Sequence, residues 1–393
     1  MALKQNIKIL SLVKLCQEKL VRFESEHLTK GQKLVKKHGH NVLLDSEDMP
    51  SPPTVSERRG ESAMEYVFLG NTGIKVSKLC FGTLTFGGEA DSKMSHEMFG
   101  LCREMGINLF DCADVYQNGK SEEILGDIIH NCRHEILITS KVYFSAGEDV
   151  NARGASRFHV MNAVEASLKR LKTDRIDIYF IHRFDDFTPL EETLRALDDL
   201  VRQGKIVYTG ASNFAAWQVA KALGISACEG LARFVCIQPM YNLVKRQAEV
   251  EILPMAKSEN LGVIPYSPLG GGLLTGKYGS HKEPISARLV NNTMYKTRYG
   301  EDWMHETADR FSQFAVDRGF EPASLAIAWV AAHPAVTAPI IGARNITQLK
   351  SCFKALDIKM NRELYDSISE FSPTPPPATD RSDERTAHTM DTR

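Results

Sequence analysis

The residues of this sequence best suited to chemistry are Asp111 and Tyr116, within the stretch NLFDCADVY at residues 108–116. Residues 107–110 form an apolar run typical of a buried strand, which ends at the carboxylate of Asp111. In parallel α/β proteins, ligands bind at the carboxyl ends of the strands. An acid and a phenol that follow a strand end are therefore a candidate reactive pair, although taken alone they are more typical of an ordinary loop.

Polar side chains also follow the other predicted strands. They are Lys141 after ILITS, His182 after IDIYFI, Ser212 and Asn213 after KIVYTGA, Gln238 after FVCI, and Tyr266 and Ser267 after GVIP. Each of these residues alone is typical of a structural position. Because strand ends of a closed parallel sheet share one rim, their repetition favours a common functional site.

The chemistry of this set is coherent. A tyrosine has an ordinary pKa of about 10, so it gives up a proton near neutral pH only if a nearby cation favours the phenolate. Lys141 is suited to supply that cation, and Asp111 to hold it in place. His182 is suited to hydrogen-bond the same substrate oxygen or to relay a proton. The pattern predicts a polarised carbonyl, with an alkoxide protonated as hydride reaches the carbon.

The elements that must position these residues alternate between helical and strand patterns after a predicted hairpin that starts at Tyr66. The strands are near-continuous apolar runs at residues 107–110, 136–139, 176–181, 206–208, 234–237, 263–264 and 338–341. Such runs are typical of strands buried on both faces, and about eight units predict a (β/α)8 barrel. A doubly wound open sheet is the alternative, but no GxGxxG follows a strand.

The predicted domain organisation has three parts. Residues 1–62 are expected to be a partly disordered N-terminal extension, residues 63–371 the barrel, and residues 372–393 a disordered, proline-rich tail. The extension lacks the pattern of a secretion signal and is a poor match to a transit peptide. Within the barrel, the stretch from Lys277 to about Glu306 has little regular pattern and is expected to be a long loop.

Composition excludes several classes of function. The formal net charge of the 393 residues is -1, which disfavours a nucleic-acid partner, and no apolar run is long enough to span a membrane. The eight cysteines are dispersed, without a CxxC pair or the spacing of a metal site. We therefore expect free thiols, no metal, and a soluble protein of a reducing, cytoplasmic compartment.

An ordered series of motifs from about Tyr66 to Leu364 resembles the aldo-keto reductase superfamily. The motifs are LCFGTLTFG, FDCADVYQNGKSEEILG, ITSKV, DIYFIHRFD, TGASNF, QPMYN, YSPLGGGLLTGKY and PIIGARN. The resemblance implies a TIM barrel with an N-terminal hairpin, reversible carbonyl reduction, and NAD(P)H bound without a Rossmann domain. It implies a catalytic tetrad of Asp111, Tyr116, Lys141 and His182, in which Tyr116 is the general acid.

The same resemblance implies a set of cofactor contacts. They are Gly82, Thr83, Ser212, Asn213, Gln238, Tyr266, Ser267, Pro268, Leu269, Gly270, Gly271, Leu273, Gly276, Lys277, Arg288, Gly342, Ala343, Arg344 and Gln348. Arg344 stands where the family contacts the 2′-phosphate, which favours NADP (NADPH) over NAD. Ser351 and Cys352 replace the Glu and Asn with which many members bind adenine, so use of NAD stays open.

Two questions stay open at the level of sequence. The residues expected to line the substrate pocket are Phe86, Tyr143, Phe144 and Arg183. They suit an aldehyde, ketone or quinone, or an acidic substrate drawn by Arg183 and Arg298.

The chain most resembles the branch with bacterial and plant oxidoreductases and potassium channel β subunits. A slow redox-sensing subunit that binds NADP(H) and docks on a partner protein is therefore the alternative to an enzyme, and a non-catalytic barrel is a third possibility. The oligomeric state stays open, and a homo-oligomer is possible.

Overall fold

The computed structural model describes residues 64–145, 147–278 and 292–379. The expected N-terminal extension, Arg288 and residues 380–393 of the expected tail lie outside this range. The predicted barrel is confirmed, with a parallel eight-stranded sheet and the predicted hairpin in front of it. The hairpin consists of β1 (Tyr66–Phe68) and β2 (Lys75–Ser77), which pair antiparallel.

The strands of the barrel follow one another around the sheet in chain order. They are β3 (Cys80–Gly82), β4 (Leu109–Asp111), β5 (Leu137–Val142), β6 (Ile176–Ile181), β7 (Ile206–Ser212), β8 (Phe234–Gln238), β9 (Gly262–Val263) and β10 (Ile340–Ile341), which returns beside β3. Backbone hydrogen bonds from Thr337 to Val263, 2.8 Å, and from Ile340 to Pro265, 2.9 Å, join the last strands and close the ring.

Helices cover the outside of the sheet. They are α1 (Ser92–Glu104), α2 (Lys120–Ile128), α3 (Arg157–Leu171), α4 (Leu190–Arg202), α5 (Ala216–Glu229), α6 (Ile252–Ser258), α7 (Thr293–Tyr299), α8 (Asp302–Asp317), α9 (Pro322–Ala332), α10 (Ile346–Phe353) and α11 (Arg362–Ser369). Their starts follow local chemistry: Asp91, Ser156 and Asn345 accept backbone N–H bonds as N-caps of α1, α3 and α10.

Two apolar cores hold these layers together. The larger core lies between the helices and the sheet, and a smaller one fills the barrel interior with Leu109, Ile178 and Phe180. Leu69 of the hairpin belongs to the inner core, so the hairpin closes the bottom of the barrel. Gly70 makes this possible: its φ is +51°, and a Cβ there would lie 2.4 Å from the amide nitrogen of Gly262.

The structure changes two details of the predicted elements. The stretch from Lys277 to Glu306 was expected to be irregular, but it contains α7 and the start of α8, and residues 279–291 lie outside the described chain. β5 and β7 also extend beyond the predicted apolar runs at residues 136–139 and 206–208, and Lys141 and Ser212 lie near their carboxyl ends. No helix among the described residues has the length and apolarity needed to cross a bilayer.

Candidate active site

Strand register brings Asp111, Thr139 and Lys141 to one point. Asp111 at the end of β4 pairs with Thr139 of β5, and Lys141 follows two residues later. Because side chains alternate across a strand, Thr139 and Lys141 project to the same side of β5. Both reach the carboxylate of Asp111: Oδ1 accepts from Thr139 Oγ1 at 2.7 Å, and Oδ2 accepts from Lys141 Nζ at 2.7 Å.

The ammonium group of Lys141 has a full set of partners. Besides Asp111, its Nζ donates to the backbone oxygen of Cys112 at 2.7 Å and to the Oη of Tyr116 at 3.0 Å. The side chain of Lys141 is 0% exposed and that of Asp111 is 3% exposed. Three N–H donors with three acceptors leave this ammonium one orientation, directed at the phenol of Tyr116.

The charges of this cluster set the protonation of its members. Burial lowers the pKa of Lys141, but the carboxylate of Asp111, assisted by Tyr116, more than offsets this and raises that pKa above its ordinary value. Burial also raises the pKa of Tyr116, and the opposing effect of Lys141 does not cancel it. Lys141 is therefore an ammonium and Tyr116 a protonated phenol at neutral pH.

His182, which follows β6, faces the same phenol. Its ring lies 6.1 Å from the ring of Tyr116 and 5.0 Å from that of Phe144, edge to face in both cases. Burial, and then the charge of Lys141, holds the pKa of His182 well below its usual range. The imidazole is thus neutral at neutral pH. Its Nδ1 atom is buried without a hydrogen-bond partner among the described residues.

A chain of polar contacts continues from His182 along the rim. Asn213 Nδ2 donates to the backbone oxygen of His182 at 2.9 Å and to Ser212 Oγ at 3.0 Å. Tyr266 Oη donates to Asn213 Oδ1 at 2.7 Å. Asn213 has a φ of +57°, a left-handed conformation that asparagine adopts more readily than most residues. Ser212, Asn213 and Tyr266, three of the predicted cofactor contacts, are thus held in one hydrogen-bonded line.

A cavity of about 860 Å³ opens on this rim. The predicted residues that line it are Gly82, Asp111, Tyr116, Phe144, His182, Arg183, Ser212, Asn213, Gln238, Tyr266, Ser267, Pro268, Leu269, Gly271, Lys277, Gly342, Ala343, Arg344 and Gln348. The lining joins the phenol of Tyr116 with the cationic side chains Lys277 and Arg344. One continuous space therefore connects the candidate pair Asp111 and Tyr116 with groups that attract phosphates.

The structure places other predicted residues away from the cavity. Phe86 is 0% exposed and packs 5.8 Å from the ring of Phe81, so it is a core residue and not a substrate contact. Thr83 is buried, and its Oγ1 donates to the backbone oxygen of Asp111 at 3.0 Å. Tyr143 stacks edge-on against Phe144 outside the lining. The remaining three, Gly270, Leu273 and Gly276, shape the loop without lining the cavity.

Lys141 does not line the cavity either, because it lies beneath Asp111 and Tyr116. Conversely, sequence reasoning missed Leu84, Thr85, Thr275, Met294, Ala323, Ile340 and Ile341, which do line it. Thr85 could have been predicted from the sequence, since it lies in the same LCFGTLTFG motif as Gly82. Met294 could not, because it lies on α7 in a stretch that was expected to be irregular.

The adenosine end of the predicted site has an unexpected contact. Arg344 Nε lies 3.2 Å from Oε1 of Glu89, in the loop between β3 and α1. The backbone nitrogen of Arg344 donates to Gln348 Oε1 at 3.1 Å. Two predicted cofactor contacts, Arg344 and Gln348, are therefore adjacent, but the guanidinium of Arg344 already has a carboxylate partner.

The fold and this arrangement define a class: a (β/α)8 barrel that presents a tyrosine phenol, backed by a buried lysine, to a cavity at the carboxyl ends of its strands. A model of the Aldo/keto reductase family matches residues 78–373, and the chain belongs to this family. It is 35% identical over 326 residues to the uncharacterized oxidoreductase YrpG of Bacillus subtilis, covering 79% of this chain and 97% of that one.

Two further relatives have different names. A probable voltage-gated potassium channel subunit beta of Arabidopsis thaliana is 37% identical over 302 residues, 75% of this chain and 92% of that one. Versiconal hemiacetal acetate reductase of Aspergillus parasiticus is 32% identical over 336 residues, 78% of this chain and 96% of that one. The family therefore includes relatives named as enzymes and relatives named as channel subunits.

Proposed function

We propose that this protein is an NADPH-dependent reductase of aldehydes or ketones, with Tyr116 as the proton donor. The observation that carries the proposal is the 3.0 Å hydrogen bond from Lys141 Nζ to Tyr116 Oη, in which Lys141 is buried and Tyr116 faces the cavity. A buried ammonium that donates to a phenol favours the phenolate as it forms. Proton donation by Tyr116 leaves such a phenolate.

The chain's own residues account for the proton transfer. A carbonyl oxygen in the cavity accepts hydrogen bonds from Tyr116 Oη and from the neutral ring of His182. The cofactor, when bound, supplies the hydride that adds to the carbonyl carbon. As that oxygen gains negative charge, the proton moves from Tyr116 Oη to it, which yields an alcohol and a phenolate next to Lys141. Asp111 keeps Lys141 charged and oriented throughout.

The residues present fit a nicotinamide dinucleotide. Ser212, Asn213 and Tyr266 form a polar line that continues from His182, suited to a carboxamide and a ring. Gly271 and Gly272 of the loop after β9 have φ values of +66° and +104°, and a Cβ at Gly271 would lie 2.6 Å from the ring of Tyr295. Only glycine fits there, and a loop of bare backbone admits a diphosphate closely.

We assign the preference for NADP over NAD to Arg344, because a guanidinium that lines the cavity matches a 2′-phosphate. We also place the protein in the cytoplasm. Support for this comes from Cys80, Cys112 and Cys236, which are buried thiols outside any disulfide, as a reducing compartment permits.

The test is the Tyr116→Phe variant. We expect its turnover with an aldehyde panel to fall by roughly 10²- to 10⁴-fold, the usual contribution of a general acid. The dissociation constant for NADPH, measured by fluorescence quenching, should stay within about twofold, because the phenyl ring is kept. Tyr143→Phe is the matched control, since that phenol lies outside the cavity. Equal turnover in the two variants would contradict the proposal.

A second function is favoured by one observation, the 37% identity to a chain named as a channel subunit. We propose as the alternative that the barrel binds NADP(H), turns over slowly, and docks on a partner protein. This predicts tight NADPH binding, oxidation of bound NADPH over minutes with every carbonyl tested, and little further loss in Tyr116→Phe. Rapid turnover with any carbonyl would exclude it as the main function.

A further inference from the structure

Arg344 contacts Glu89 at the predicted adenosine end of the cofactor site. Arg344 Nε and Glu89 Oε1 are 3.2 Å apart, and their side chains are 28% and 40% exposed. Arg344 lines the cavity, whereas Glu89 stands outside its lining. The carboxylate therefore contacts the guanidinium at Nε without itself lining the cavity.

The loop that carries Glu89 is held in place. Gly87 N donates to Ala90 O at 2.8 Å, and Ala90 N donates to Thr85 O at 3.0 Å, so residues 85–90 form a closed turn. Thr85 Oγ1 donates to the backbone oxygen of Ala343 at 2.8 Å, which ties this turn to the residue before Arg344. These hydrogen bonds therefore hold Glu89 next to Arg344.

We propose that Glu89 competes with the 2′-phosphate of NADP(H) for Arg344 and so reduces the preference for NADPH over NADH that Arg344 confers. The inference rests on the proposed function, because it assumes that a nicotinamide dinucleotide occupies the cavity. Binding of a 2′-phosphate beside Arg344 requires the carboxylate of Glu89 to give up its contact with Arg344 and to tolerate a second negative group. A 2′-hydroxyl makes neither demand.

The size of the interaction between Glu89 and Arg344 indicates that Glu89 competes with the 2′-phosphate of NADPH but does not exclude it. An ion pair as exposed as Arg344 with Glu89 contributes about 0–1 kcal/mol, which corresponds to at most roughly fivefold in affinity. A phosphate carries up to two charges and accepts paired bonds from a guanidinium, so it displaces a single carboxylate. Glu89 therefore weakens NADPH binding without abolishing it, and NADH is unaffected.

The experiment compares dissociation constants for NADPH and NADH by titration calorimetry in wild type, Glu89→Gln and Arg344→Gln. Glu89→Gln should tighten NADPH by roughly three- to fivefold and leave NADH within about twofold. Its gain should shrink at high salt, because the pair is exposed. In the Arg344→Gln background, Glu89→Gln should have a smaller effect, since only the repulsion by its charge remains.

Glu97→Gln is the matched control, because it makes the same change of charge at an exposed position on α1 and should change neither constant. Adenosine 2′,5′-bisphosphate and adenosine 5′-phosphate serve as probes that lack the nicotinamide; only the first should gain from Glu89→Gln. Thermal unfolding confirms that each variant is folded.

The outcomes separate the two proposals. If NADPH and NADH bind but Glu89→Gln leaves their ratio unchanged, or weakens NADPH, Glu89 is not a competitor and the reductase proposal stands. If neither dinucleotide binds the wild type, the proposed function fails, and the role of Glu89 fails with it.

Discussion

The side-chain amide of Gln238 donates a 2.7 Å hydrogen bond from Nε2 to Oδ1 of Asp111, between strand ends that are 127 residues apart in the chain. Gln238 was expected to hold the cofactor, and it lines the cavity. The bond gives Gln238 a second role, because it provides a further hydrogen-bond donor to the carboxylate of Asp111, which orients Lys141. One residue thus connects the predicted cofactor site with the cluster of Asp111, Lys141 and Tyr116.

The two roles of Gln238 can be separated with Thr139, which donates to the same Oδ1 at 2.7 Å but does not line the cavity. Gln238→Leu and Thr139→Val should each lower the free energy of unfolding by about 1–3 kcal/mol, the cost of leaving a buried charged acceptor short of a partner. Gln238→Leu alone should also weaken NADPH binding. Urea denaturation and fluorescence titration measure the two effects. Equal NADPH affinity in both variants would mean that Gln238 only stabilises Asp111 and does not bind the cofactor.

Removing only one partner of the ion pair between Lys141 and Asp111 should lower the free energy of unfolding strongly. Lys141→Met leaves the carboxylate of Asp111 buried without its cation, and we expect a loss of about 3–5 kcal/mol in unfolding free energy at pH 7. Adding Asp111→Asn removes that charge and should recover a large part of the loss, while turnover stays abolished because Tyr116 has no cation beside it. Recovery of stability is read from urea denaturation. A double variant no more stable than Lys141→Met would show that the pair is not coupled by charge.

Asp114 predicts a pH dependence of stability that is independent of turnover. It is 2% exposed, and neither carboxylate oxygen has a hydrogen-bond partner among the described residues. Burial, and then the charge of Glu122, raises the pKa of Asp114 from 3.8 to about 7. The folded state therefore holds more protons than the unfolded chain between these values. Its stability falls as pH rises through that window, and the loss is complete above about pH 7.

Asp114→Asn removes this titration. The variant should match the wild type near pH 4.5 and exceed it in unfolding free energy by on the order of 3 kcal/mol at pH 8. Denaturant unfolding at several pH values measures the difference, and Asp186→Asn, an exposed change of the same kind, should follow the wild-type curve. A gain that is the same at every pH would mean that Asp114 is not protonated in the folded protein.

Local sequence patterns determined the succession of elements, because hydrophobic periodicity and turn residues act over short stretches. They also placed Asp111, His182 and Gln238 after strands, which was enough to predict a rim of polar residues in a barrel. The roles assigned within that rim came from resemblance to a family, and the structure brings Asp111, Tyr116, Lys141 and His182 together.

Only the tertiary structure decided which groups share a partner. Phe86 was expected at the substrate and lies in the core, because the turn after β3 directs it inward, a consequence of packing that no local pattern encodes. Gln238 on Asp111 and Glu89 on Arg344 are contacts between distant segments, set by strand register and by loops that meet at the closure of the barrel. Hydrogen bonds and ion pairs depend on distances of a few ångströms, and a linear sequence specifies such distances only through the complete fold.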